Sequence, residues 1–283
     1  MEANTESNIK RQSIIITVCS TKGGVGKTTL SANLGGLLAG LNPNHKVLLI
    51  DGDLQPTLSS YYPITEKADH GLTELVKSIG NPFDTISKTN IANLDIVLSN
   101  DPNRELQNWI ISSPTGRLQF SESLKVFHTE YDFIIIDSQG ADEPIQHVTV
   151  LAGDILLSPI SPDILSSQEF QRGTLVMLDK VSPLCAYAGK TLGQLYGLIY
   201  KKDHTNDAKF ITEELVDLTF TESKSKIRIL DSYIPDLNSY KKAATSHVPV
   251  HQIDKRAKAD MCDLVAEILP NLKSQCKKFM EVK

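Results

Sequence analysis

The chain has 283 residues, 40% hydrophobic and 22% charged, a composition that supports a buried core and excludes wholesale disorder. Its formal net charge of −5 argues against an all-over basic nucleic-acid binder, and no run approaches the roughly 18 apolar residues of a membrane-spanning helix. The four cysteines, Cys19, Cys185, Cys262 and Cys276, are scattered without a C-x-x-C pair or a neighbouring histidine cluster, which suits reduced thiols in a cytosol and offers no zinc or iron–sulfur site.

In chain order, residues 1–12 are polar, lack the apolar stretch of a secretory signal and are expected to form a flexible tail. Ser13–Cys19 is short, β-branched and apolar, and reads as a buried strand. Thr28–Leu41 reads as a helix closed by the turn signal Asn42-Pro43-Asn44, and Lys46–Ile50 as a second buried strand ending at Asp51. Further strands are expected at Leu94–Leu98, Phe133–Ile136, Ile155–Leu157 and Leu195–Tyr200. Helices are expected at Leu72–Ser78, Arg117–His128, Leu165–Lys180, Thr212–Thr221 and Ala257–Leu269. Strands without in/out alternation, separated by helices, imply a doubly wound α/β fold: a mostly parallel sheet flanked by helices, as one domain over residues 13–283.

Between the first strand and the first helix lies Cys19-Ser-Thr-Lys-Gly-Gly-Val-Gly-Lys-Thr-Thr29. Glycines 23, 24 and 26 let backbone N–H groups close around a phosphate chain at a helix N-terminus. Lys27 would bring charge to the β- and γ-phosphates and the Thr28 hydroxyl would ligate Mg²⁺. The pattern G-x-x-x-x-G-K-[ST] lacks its first glycine, because position 21 is Thr21, and an extra lysine, Lys22, heads the loop.

This deviant form resembles the ParA/MinD family of P-loop ATPases. The resemblance implies that Lys22, Gly23, Gly24, Val25, Gly26, Lys27, Thr28 and Thr29 bind ATP. It also implies that Lys22 reaches across an ATP-dependent homodimer to the partner's nucleotide. Asp51-Gly-Asp-Leu-Gln55 is similar to the family's switch I, in which Asp53 would orient or deprotonate the attacking water and Asp51 would assist Mg²⁺ or the switch. Loop capping by these two aspartates is the plainer alternative. Tyr131-Asp-Phe-Ile-Ile-Ile-Asp137 is an apolar strand ending in an acid that could hold a Mg²⁺ water. The following Ser138-Gln-Gly140 looks like the family's switch II with its prolines replaced.

The charge is unevenly distributed. Residues 1–179 carry 12 Lys and Arg against 21 Asp and Glu, whereas residues 180–283 carry 17 against 13. In the basic part, Ile234–Val250 resembles a ParA segment that would bring Pro235 near the adenine. By the same resemblance Lys224, Lys226, Arg228, Lys241 and Lys242 would bind DNA non-specifically, the alternative being a solvated charged surface. The family then implies a cytoplasmic, nucleoid-associated, slow ATPase that hydrolyses ATP to ADP and phosphate. It would segregate plasmids or chromosomes with a ParB-like centromere-binding partner. Three other classes stay open: a MinD-like membrane ATPase, against which the short C-terminal stretch with its few large apolar groups counts; a positioner of another cargo; and a small-molecule enzyme on the same scaffold.

Overall fold

A computed structural model describes residues 12–202, 206–221 and 227–281. Nine strands form one sheet: β1 (Ile14–Val18), β2 (Val47–Gly52), β3 (Ile64–Glu66), β4 (Ile86–Thr89), β5 (Leu94–Val97), β6 (Phe133–Ser138), β7 (Ile155–Ile160), β8 (Gln194–Lys202) and β9 (Ile227–Pro235). Their order is β3-β4-β5-β2-β6-β1-β7-β8-β9. From β5 to β9 the pairings are parallel, and β3 and β4 extend one edge antiparallel. The doubly wound architecture expected from the alternating apolar runs is therefore the one observed.

The helices are α1 (Lys27–Leu41), α2 (Leu72–Lys77), α3 (Glu105–Ser112), α4 (Gly116–Ser123), α5 (Pro144–Ala152), α6 (Ile164–Glu169), α7 (Val176–Tyr187), α8 (Asn206–Thr221), α9 (Asn238–Ser246), α10 (Lys255–Ile268) and α11 (Lys273–Glu281). Successive strand residues point to opposite faces, so each central strand feeds two cores. Ile16, Val18, Val47, Leu49, Phe133 and Ile135 pack with α1, α10 and α11. Leu48, Ile50, Ile134 and Ile136 pack on the other face with residues of α2 to α5. Beyond β1, that second face is closed by Phe170, Met177, Val181 and Leu215. Helix α1 is apolar all round because it is covered all round, by the sheet beneath and by α10 and α11 above.

Three departures from the sequence reading stand out. Strand β9 did not read as an apolar run because it is an edge strand in which buried Ile229, Leu230, Ile234 and Pro235 are interspersed with exposed Arg228, Asp231 and Tyr233. The helix expected at Leu165–Lys180 is interrupted by a π turn, Phe170–Leu175, between α6 and α7. The expected helix Arg117–His128 likewise shortens to α4 followed by a 3-10 turn, Leu124–Thr129.

Candidate nucleotide site

The site is built where the central strands end. β1 stops at Val18 and α1 starts at Lys27, so the intervening loop closes over the carboxyl edge of the sheet at the place where strand order reverses. Gly24 and Gly26 have φ of 74° and 95°, left-handed values that only glycine adopts freely. At Gly26 a Cβ would also collide with the buried Tyr200 ring, so both backbone and space require glycine there. Thr21, the departure from the usual loop, has its own work. Its hydroxyl donates to Glu169 Oε1 at 2.8 Å and its N–H to Thr174 Oγ1 at 3.3 Å. The head of the loop is thereby fastened to the π turn, a kind of irregularity common at functional sites.

Lys27 is 6% exposed and its Nζ donates to the Lys22 carbonyl at 3.2 Å. Burial lowers the pKa of this ammonium, while Asp137 and Asp53 oppose the shift. Lys22 points elsewhere: its Nζ donates to Ser166 Oγ at 2.7 Å and lies 3.6 Å from Asp163 Oδ1, at the start of α6. Val25 is buried in the core.

Strand register sets the acids side by side. Asp51 on β2 pairs with Asp137 on β6, which pairs in turn with Val18 at the end of β1. Both Asp51 and Asp137 are buried. Asp51 accepts the N–H and hydroxyl of Ser59 at 2.7 Å each, and the N–H of Asp53 at 3.2 Å. Burial nonetheless pushes its carboxyl up to about 6. Asp137 Oδ1 accepts from the Ser31 hydroxyl at 3.2 Å, and the Thr28 side chain lies near enough to help hold the carboxyl's pKa down. Its Oδ2 is buried without a partner. Burial first and the Asp51 charge second push Asp137 up to about 7. An orphaned carboxylate oxygen beside a loop threonine fits a hard divalent cation with oxygen ligands. The Asp51 oxygens hold the loop that follows β2, whereas Asp137 keeps one oxygen without a partner among the described residues, beside Thr28.

In front of these acids lies a cleft of about 500 Å³ lined by Gly23, Gly24, Gly26, Lys27, Thr28, Thr29, Asp53, Gln139 and Gly140, with Arg104 and Lys201 at its sides. A larger cleft of about 810 Å³ at the β3–β5 edge has no phosphate loop in its walls. Among the described residues, three cations against one carboxylate, that of Asp53, favour a polyanion in the smaller cleft. Asp53 is half-buried, and its Oδ1 accepts the Gln55 N–H at 3.0 Å. A Cβ on Gly140 would lie 2.8 Å from Lys27 Nζ, so the loop after β6 runs against the loop lysine. Pro235 ends β9, buried and paired with Lys202, and is not among the residues that line this cleft.

Arg104 and Lys201 escaped the sequence reading because no spacing marks them. Both adopt left-handed backbone, with φ of 58° and 59°, strain of a kind that gathers at functional sites. The expected DNA-binding residues are dispersed. Lys224 and Lys226 lie outside the described residues. Arg228 is paired with Glu267 at 2.8 Å. Lys241 and Lys242 are exposed on α9.

Residues 13–181 match a family model described as an AAA domain. The chain is 30% identical to the virulence plasmid ParA family protein pGP5-D of Chlamydia psittaci, over 74% of this chain and 78% of that protein. It is 31% identical to the maintenance of carboxysome distribution protein A of Gloeothece citriformis, over 66% and 74%. Among solved structures it is similar to an ATP complex of Cyanothece McdA, with a TM-score of 0.71 and 21% identity over 95% and 96% of the two chains.

Proposed function

The chain belongs to the ParA/MinD family of P-loop ATPases, and from that membership we propose that it is an Mg²⁺-dependent ATPase whose ATP-bound dimer holds DNA and whose hydrolysis releases it. The observation that carries the reading is the buried Asp137 with its unpaired oxygen, set beside Thr28 at the foot of a glycine loop. Backbone N–H groups of Gly23 to Thr29 would bind the phosphates, and Lys27 would neutralise charge at their outer end. Thr28 and Asp137 would hold Mg²⁺, which when bound supplies charge neutralisation on the phosphate oxygens. Asp53, in the same cleft, would orient the attacking water or accept its proton, a positioning role of the kind that dominates phosphoryl transfer.

Lys22 would act in trans. In the single chain it is tied to Asp163 and Ser166, and it would exchange those partners for a second subunit's phosphates. Lys241 and Lys242, exposed on α9, would contribute to non-specific DNA binding, with a ParB-like protein stimulating turnover. A second reading, in which the same cycle positions a protein cargo, is supported by the similarity to carboxysome distribution proteins.

The test is size-exclusion chromatography with light scattering on wild type and Asp53→Ala, with ADP or ATP, with and without DNA. The expected result is an ATP-dependent dimer that stays on DNA longest in the variant. A mass that is the same with ADP, with ATP and with no nucleotide would overturn the reading.

A further inference from the structure

Gln139 stands two residues beyond Asp137 and lines the nucleotide cleft together with Lys27 and Asp53. Its Nε2 donates to Glu143 Oε2 at 3.0 Å. The orientation of the amide is fixed by chemistry: a carboxylate only accepts, so the nitrogen must face Glu143 and the oxygen must face away. That oxygen, Oε1, is buried and has no partner. Glu143 is itself held, because the Gln107 amide of α3 donates to the same Oε2 atom. The next residue, Gly140, runs so close to Lys27 that a Cβ there would lie 2.8 Å from its Nζ. The amide of a cleft-lining residue is therefore held by a chain that starts in α3, with its oxygen left unsatisfied among the described residues, and a buried acceptor without a donor is costly enough to need a reason.

We propose that Gln139 Oε1 accepts a hydrogen bond from the attacking water and orients it for ATP hydrolysis. This rests on the ATPase reading above. In the step, the water oxygen forms a bond to the γ-phosphorus as the bond from that phosphorus to the β–γ bridging oxygen breaks. The electron pair leaves with ADP. An amide takes no proton, so the proton passes to Asp53 or to the phosphate product, and Gln139 contributes orientation alone. Glu143 is a positioning residue, acting through Gln139.

The experiment is steady-state ATP hydrolysis by Gln139→Ala and Glu143→Gln in the full chain, alongside the affinity of each for a fluorescent ATP analogue. Gln139→Ala should lose at least tenfold in kcat, with KM and analogue affinity within twofold of wild type. Glu143→Gln, which keeps the amide but frees its orientation, should fall between the two. Unchanged kcat in Gln139→Ala overturns the proposal alone. A parallel loss of analogue affinity and kcat also overturns it, by assigning Gln139 a structural role. A wild-type chain that binds the analogue without turning ATP over would sink the ATPase reading and this inference together.

Discussion

At the scale of single residues, the site is expensive because its acids are buried before any cation arrives. A carboxyl whose pKa is raised on folding holds its proton more tightly in the folded chain than in the unfolded one. Its stabilising contribution is complete below the ordinary carboxyl range near 4 and is lost as pH climbs through the folded value. For Asp51 and Asp137 those folded values are about 6 and about 7. His251, which burial depresses to about 4, works in the opposite sense below the ordinary histidine range. Between pH 8 and 6.5 the acids outweigh it, so the ligand-free protein should gain about 0.5 kcal/mol and melt roughly 1 °C higher at pH 6.5. Asp137→Asn should flatten that dependence and raise the ligand-free melting temperature at pH 8. It should also reduce Mg²⁺-dependent nucleotide affinity at least tenfold. Calorimetry across pH, with and without Mg·ATP, checks both. A variant less stable than wild type at pH 8 would contradict the assignment of Asp137 as a strained, cation-seeking group.

At the scale of elements, the phosphate loop is where sequence and geometry agree best, since glycine spacing dictates backbone shape directly. Gly26→Ala should destabilise the protein by about 3 kcal/mol, combining left-handed strain with a clash against Tyr200 and overpacking of the site. Nucleotide affinity should fall with it, measured by chemical denaturation and analogue titration. Ordinary stability and affinity in this variant would mean that the loop relaxes freely. The buried parallel strands were legible for the same local reason: Ser13–Cys19 and Phe133–Ile136 are apolar on both faces because both faces are covered. What stayed hidden depends on tertiary contact. The anchors of Thr21 are Glu169 and Thr174, about 150 residues away. Arg104 enters the cleft from a turn whose geometry is set by Asp101, which caps α3 through the N–H groups of Glu105 and Leu106. No spacing rule connects such pairs. The stretch Ile234–Val250, read by resemblance, is also fixed in the fold by contacts that no spacing announces. Val250 donates its N–H to Asn33 at 2.7 Å, and Pro249 packs against α1, so this stretch roofs the helix behind the phosphate loop.

At the scale of the whole molecule, the question is how an acidic chain would hold a polyanion. The net charge of −5 hides a basic C-terminal part, and within it Lys241 and Lys242 are exposed while Arg228 is neutralised by Glu267. Affinity would come from few cations per subunit, doubled by dimerisation. Replacing both lysines by glutamate should weaken DNA retention by the ATP-bound form and flatten the slope of log K against log salt by about 3 to 4, with hydrolysis in the absence of DNA preserved. An unchanged slope in a filter-binding series would remove α9 from the DNA surface. One further property follows from the thiols. All four are buried: Cys19 directly ahead of the phosphate loop, Cys185 on α7, and Cys262 and Cys276 facing each other between α10 and α11. An alkylating reagent can therefore reach them only when the fold breathes, Cys19 and Cys185 reporting the core beyond β1 and Cys262 and Cys276 the core over α1. The chain thus carries four native chronometers of its own opening, and the one at position 19 should slow most when a nucleotide settles over it.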